Sequence, residues 1–207
     1  MMATTHALAG VVLAVTVGAL FPESAAGTSL LPVAAAALGG LFPDFDLYAG
    51  HRRTLHFPVY FGVAAALATP VAVAVGTPLA VGAALFLAAA ALHSAMDALG
   101  GGLELKPWLG TSERAVYSHY HGRWIRPRRW IRYDGAPEDL ALAVGFAVPA
   151  AFVLDGLAES VVFAAVAVSA VYVLLRKPMV LAAEVVVDAL PDQLVARLPA
   201  RFVEDFR

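Results

Sequence analysis

The chain has 207 residues, 60% of them hydrophobic and only 14% charged, with a net charge of −2 and a mean hydropathy of +0.76. A soluble domain is about half apolar and a quarter charged, so this composition excludes an ordinary water-soluble enzyme and indicates a polytopic membrane protein. With no cysteine present, disulfides and thiolate metal sites are excluded, and any metal must be held by nitrogen and oxygen.

Apolar segments fall at 7–21, 29–42, 57–75, 78–99, 140–154 and 157–175. A spanning helix takes about 20 residues; the third, fourth and sixth segments meet that length, and the other three are short. Pro32, Pro78 and Pro137 mark helix starts, Pro43 and Pro178 follow helix ends, and Pro70 and Pro149 sit inside segments they should kink. No Lys or Arg precedes the first segment, so a cleavable signal peptide is not expected, although Ser24-Ala25-Ala26 resembles a cleavage site.

The basic residues set the orientation. With the N-terminus inside, the inner stretches are 43–56, 100–139 and the tail from 176, and they carry Arg52, Arg53, Lys106, Arg114, Arg123, Arg126, Arg128, Arg129, Arg132, Arg176 and Lys177. The outer connections 22–28, 76–77 and 155–156 carry no Lys or Arg. By the positive-inside rule, the expected fold is all-α: a bundle of about six helices in the cell membrane with both termini cytoplasmic. Residues 1–178 form the multi-pass domain, with a large inner loop at 100–139, and 179–207 form a helical tail lying on the membrane surface. The inner loop interleaves Trp108, Tyr117, Tyr120, Trp124, Trp130 and Tyr133 with arginines, and 123–133 is expected to form a short hairpin. Such a patch suits nucleic acid in a soluble protein, but beside membrane spans it reads as a headgroup-level belt. The expected partner is therefore the lipid bilayer and not nucleic acid.

This threading brings every histidine to the inner face. His93 and Asp97 are spaced i, i+4, so they share one face in the last turns of an apolar helix, where an ionisable group needs a partner. Asp44 and Asp46 place two carboxylates in a turn after Pro43, a pattern suited to divalent cations. His51 and His56 bracket Arg52 and Arg53; their i, i+5 spacing requires that a turn present at least one of them. His6 opens the first helix at the same depth. His119 and His121 lie in the inner loop, where strand alternation would put both on one face, and they rank as secondary candidates. Each element alone has a plainer explanation: a solvated acidic turn, a structural His–Asp bond, or basic residues obeying topology. Their convergence from separate segments points to a metal site. Mixed imidazole and carboxylate donors suit Zn, Mn or Fe better than Ca, and there are donors enough for one or two ions, with Zn or Mn favoured.

The same residues resemble the YdjM-like family of inner-membrane proteins, described as metal-dependent hydrolases. The family pattern is Thr-His near the start, Pro-Asp-x-Asp after the second helix, His-Arg-Gly-x-Thr-His-Ser, and a later His-x-x-x-Asp. Here these are Thr5-His6, Pro43-Asp44-Phe45-Asp46, His51-Arg52 with His56, and His93 with Asp97, followed by Gly100-Gly101-Gly102 and Lys106-Pro107-Trp108. The likeness covers about the first 110 residues; Arg53, Leu55 and Phe57 replace the family's Gly, Thr and Ser. The resemblance implies a membrane-bound metal-dependent hydrolase. His6, Asp44, Asp46, His56, His93 and Asp97 would be metal ligands or ligand-orienting groups, His51 a ligand or general acid/base, and Arg52 an anion clamp. A site at this depth suits an amphiphilic or lipid ester or phosphoester. The rival readings are a non-catalytic, metal-stabilised scaffold and a transporter; the bare middles of the spans argue against transport.

Overall fold

The computed structural model describes residues 1–25 and 29–199, together with 203 and 206. The molecule is all-α in class, with 69% of residues helical. The helices are α1 (Ala3–Leu20), α2 (Leu30–Leu41), α3 (Pro58–Val75), α4 (Pro78–Leu99), α5 (Pro137–Val153), α6 (Gly156–Ala189) and a final short turn, α7 (Asp192–Val195). A 3-10 helix, Phe42–Tyr48, continues directly from α2. Among the described residues, five segments are long and apolar enough to cross a membrane: Ala3–Leu20, Leu30–Tyr48, Pro58–Val75, Pro78–Leu99 and Gly156–Ala189. α5 is a helix of 17 residues.

α1 packs against α2, α4 and α5, while α3 packs on α4 and α6 on α5. The core is built from Leu8, Val11 and Val15 of α1, Val33 and Ala36 of α2, Leu85 and Ala89 of α4, Ala143 and Ala147 of α5, and Val162 of α6. Small residues let the backbones touch: a Cβ on Gly10 would clash with the carbonyl of Ala36, and one on Gly40 with that of His6. Such close packing through small residues is what helices in a membrane use, where little hydrophobic force drives association and van der Waals contact must supply it. The outward faces of α3 and α6 stay apolar and exposed, as at Leu67, Val73, Leu157 and Leu174.

Several boundaries differ from those expected. Pro178 does not end the sixth segment, because α6 runs unbroken to Ala189 and absorbs the proline's missing hydrogen bond. The tail expected from 179 therefore begins as part of α6; residues 200–202, 204, 205 and 207 of that tail lie outside the described residues, as do 26–28 of the connection expected to be the first outer one. The hairpin is not 123–133. It pairs β1 (Val116–Ser118) with β2 (Arg123–Ile125), with Tyr117 opposite Trp124. Gly122, at φ 63°, supplies the left-handed turn residue, and Pro127, which has no N–H, follows β2 closely. His119, Tyr120 and His121 thus occupy the turn and not an alternating strand.

Candidate metal centre

Four pieces of chain converge at one end of the α1–α2–α4 bundle. α1 supplies His6, the 3-10 helix supplies Asp44 and Asp46, the loop at 49–57 supplies His51, Arg52 and His56, and α4 supplies His93 and Asp97. The i, i+4 spacing puts His93 Nε2 at 3.3 Å from Asp97 Oδ2. Asp44 and Asp46 sit in a 3-10 helix, which forms the turn expected after α2; Pro43 in its first turn fixes φ and needs no hydrogen-bond acceptor. Phe57, which precedes Pro58, is driven out of the α region, so α3 starts at Pro58 and His56 lies in the loop before it.

Asp44, His56, His93 and Asp97 form a group able to hold a metal ion, with one donor atom from each lying within 4.8 Å of all the others. His56 Nε2 is 3.1 Å from His93 Nε2 and 3.1 Å from Asp97 Oδ2, and His93 Nε2 is 3.5 Å from Asp44 Oδ1. Tetrahedral zinc with ligand bonds of about 2.0–2.2 Å has ligand–ligand edges of about 3.3–3.6 Å, close to these separations. His56, His93 and Asp97 are fully buried, whereas the Asp44 side chain is 24% exposed.

The outer hydrogen bonds of the two imidazoles decide what faces inward. His93 Nδ1 lies 2.6 Å from the Gly40 carbonyl, which can only accept, so Nδ1 carries a proton and, in the neutral ring that a metal would bind, Nε2 presents the lone pair. His56 Nδ1 lies 3.0 Å from Asp46 Oδ2, and by the same logic its Nε2 lone pair points inward. Two nitrogen lone pairs and two carboxylate oxygens then confront one another in a buried space. A proton on one nitrogen relieves one contact; a divalent cation satisfies all four. Burial alone would pull the His56 pKa down, but hydrogen bonding to Asp46 and to Asp97 outweighs it and holds the value above the ordinary one. The net pull of this environment is toward positive charge.

Asp46 faces away from the group of four. It accepts from the backbone N–H groups of Arg52 (3.2 Å), Arg53 (3.2 Å) and Leu55 (3.1 Å), and it also holds the Nδ1 atoms of His51 and His56. It folds the loop around itself and orients both histidines. Arg52 sits at φ 58°, a strained conformation for a residue with a Cβ. That conformation is held by Asp46 on its N–H and by Tyr117 N–H donating to its carbonyl at 2.9 Å. The Arg52 side chain is buried, with Nη1 donating to Gly101 O at 2.8 Å and Nε 3.5 Å from Asp97 Oδ2. His6 stacks on His93 with ring centroids 3.7 Å apart, and its Nε2 meets Asp97 Oδ1 at 3.1 Å. It holds the outer oxygen of Asp97, as does the Met1 amino group at 3.1 Å, and does not join the group of four.

All eight residues singled out in the first half of the chain thus meet in one cluster, in two layers: Asp44, His56, His93 and Asp97 inside, and His6, Asp46, His51 and Arg52 around them. His119 and His121 do not join it. His119 Nε2 donates to Arg53 O at 2.6 Å and its ring stacks near Phe57, while His121 pairs with Ser118. Sequence reasoning missed the Gly40 carbonyl that sets the His93 tautomer, for which the pair Gly39-Gly40 before Pro43 was the only signal. It also missed Asp139, fully buried, which accepts from Thr5 Oγ1, Met2 N and Gly135 N and ties α1 to α5. A third omission is Asp134, which binds Tyr172 and Arg176 of α6. Burial pushes the Asp134 carboxyl up, but the Arg176 guanidinium beside it brings the pKa below the usual carboxylate value.

A cavity of about 530 Å³ adjoins the cluster, reaching Asp44, His51 and Arg52 on one side and α6 on the other. His51 is 27% exposed at its side chain and uses Nδ1 on Asp46, so its other ring nitrogen is available to the cavity. No family model, curated protein or solved structure matches this chain.

Proposed function

We propose that this chain is a multi-pass membrane hydrolase of about six crossing helices, with both termini and a metal centre at the cytoplasmic face of the cell membrane, akin to the YdjM-like family its motifs resemble. The observation that carries the reading is the convergence of His56 Nε2 and His93 Nε2 with the carboxylates of Asp44 and Asp97 beside an open cavity. The nitrogen–oxygen donor set fits Zn or Mn, held by Asp44, His56, His93 and Asp97. When bound, such an ion supplies Lewis-acid polarisation of a carbonyl or phosphoryl oxygen and lowers the pKa of water. The protein's own groups do the rest. Asp46 fixes the His56 tautomer, His6 and Arg52 hold Asp97, and His51 is placed to exchange a proton with a group in the cavity.

The first test is metal content. Protein purified without chelator is expected to carry about one Zn or Mn by elemental analysis, and a His93→Ala, Asp97→Ala double variant none. Metal-free wild-type protein, or unchanged metal in the double variant, overturns the reading. The deep burial of three of the four donors also favours a purely structural ion in a scaffold. His51→Gln separates the two, because His51 lies outside the group of four: an enzyme loses ester or phosphoester hydrolysis while keeping its metal, and a scaffold has no such activity to lose.

A further inference from the structure

The cavity beside the metal centre is polar at one end and apolar at the other, and the gradient is laid out along a single helix face. Val168, Tyr172 and Arg176 of α6 all line it at i, i+4 spacing. From Arg176 to Val168 is eight residues, or about 12 Å along the helix axis. At the Arg176 level the wall is polar, but that charge is committed: Arg176 forms a two-pronged pair with Asp134, at 2.8 and 3.2 Å, and Tyr172 donates to the same carboxylate at 2.6 Å. At the Val168 level the wall is apolar and open to the outside, because Val168 is 58% exposed on the outward face of α6. Leu47 and Leu103 continue the apolar lining elsewhere.

A second cation, Arg52, reaches the cavity from the metal-centre side, where it also pairs with Asp97. It lines the cavity, is more than nine-tenths buried, and among the described residues its guanidinium makes a single hydrogen bond, to Gly101 O. Its Nε faces Asp97 Oδ2 at 3.5 Å but has no hydrogen-bond partner, so the fork's hydrogen-bonding capacity is only partly used. A buried guanidinium with unused donors is costly, and a planar fork of this kind matches phosphate oxygens. Its strained backbone, locked by Asp46 and Tyr117, holds that fork in place before anything binds.

We propose that the cavity takes a membrane lipid carrying an anionic phosphoester, with its phosphate at Arg52 and His51 beside the metal centre and its acyl chain running along α6 toward Val168. The apolar end lies at the outward face of α6 by Val168, so the lipid reaches the centre without leaving the bilayer. The proposal names the substrate class of the hydrolase reading and rests on it for what happens after binding; binding itself is tested without turnover.

The probe is lysophosphatidic acid with a diazirine on its acyl chain, photolysed with the protein in nanodiscs, and crosslinks are mapped by mass spectrometry. Crosslinks are expected to concentrate on Leu47, Leu103 and Val168. They should fall at least fivefold with monoacylglycerol bearing the same chain, which lacks the phosphate, and at least fivefold in Val168→Trp, which fills the apolar end. Metal content of Val168→Trp should match wild type, showing the centre intact. A millimolar excess of inorganic phosphate should leave the crosslinks in place, because it lacks the chain. Equal labelling by the two lipids, or labelling spread evenly over the outward face of α3, overturns the proposal, as does loss of labelling to inorganic phosphate alone. Phosphate-dependent labelling at Val168 in a protein without hydrolytic activity would retain the lipid site and remove only the catalytic reading.

Discussion

His56 Nδ1 lies 3.0 Å from Asp46 Oδ2 while its Nε2 faces Asp97 Oδ2 at 3.1 Å, so one imidazole joins an orienting carboxylate to a facing one. The outer carboxylate fixes the tautomer and the ring plane; the inner one shares the space where a cation would sit. Replacing Asp46 by Asn leaves the volume unchanged but weakens the acceptor for His51, His56 and three backbone N–H groups. Metal affinity is expected to fall about 10–100-fold, read by zinc titration of metal-free protein, with helix content by circular dichroism unchanged. Wild-type affinity in Asp46→Asn would remove Asp46 from the orienting role.

Gly40 is doubly committed, to backbone contact with α1 at His6 and to the His93 Nδ1 bond through its carbonyl. A methyl group there must push α1 away. Gly40→Ala is expected to cost about 1–3 kcal/mol, the usual toll of overpacking, and to weaken metal binding along with it. Gly62 on α3 meets nothing within 4 Å, so Gly62→Ala should stay within about 0.5 kcal/mol of wild type. Thermal denaturation in detergent reads both, and equal effects would show that the α1–α2 approach is not tight.

Asp139 is buried with three donors, from Thr5, Met2 and Gly135. Asp139→Ala strands all three and is expected to destabilise by about 3 kcal/mol, whereas Thr5→Val removes one bond and should cost about 1 kcal/mol. Limited proteolysis at the 100–136 loop should rise in the first variant, because the latch that holds α5 to α1 is gone. Similar proteolysis of wild type and Asp139→Ala would place the latch elsewhere.

Asp134 has its pKa lowered in the folded protein by Arg176, against an ordinary value of about 3.9. A depressed folded-state pKa gives stability that is fully present above the ordinary value and is lost as pH falls through the folded one. The gap in melting temperature between wild type and Asp134→Asn should therefore be constant above about pH 5 and close as the pH falls below about 4. A gap that widens on acidification would contradict the ion pair.

What the chain alone determined was class and company. Composition pointed to helices apolar enough to cross a membrane, since 14% charge cannot solvate a chain this apolar. Motif spacing then picked eight polar residues that meet. Local rules were enough for this, because His93 and Asp97 share a helix face by period and Asp44 and Asp46 share a turn by proximity. Boundaries were less legible. Pro178 looked like a stop, but helix interiors under apolar packing tolerate the lost bond; the hairpin moved to 116–125 because Gly122 and Pro127 outweigh aromatic content.

Only the tertiary structure divided the cluster into layers. Asp44 and Asp46 are equivalent in sequence, yet one turn of 3-10 helix points Asp44 toward His93 and leaves Asp46 among the backbone N–H groups of its own loop. His6 was indistinguishable from a ligand until its ring stacked on His93 and its nitrogen met the outer oxygen of Asp97. Spacing along a chain says which side chains share a face. Which atom each turns inward depends on hydrogen-bond partners from distant segments, such as the Gly40 carbonyl, and those partners exist only once the helices have packed.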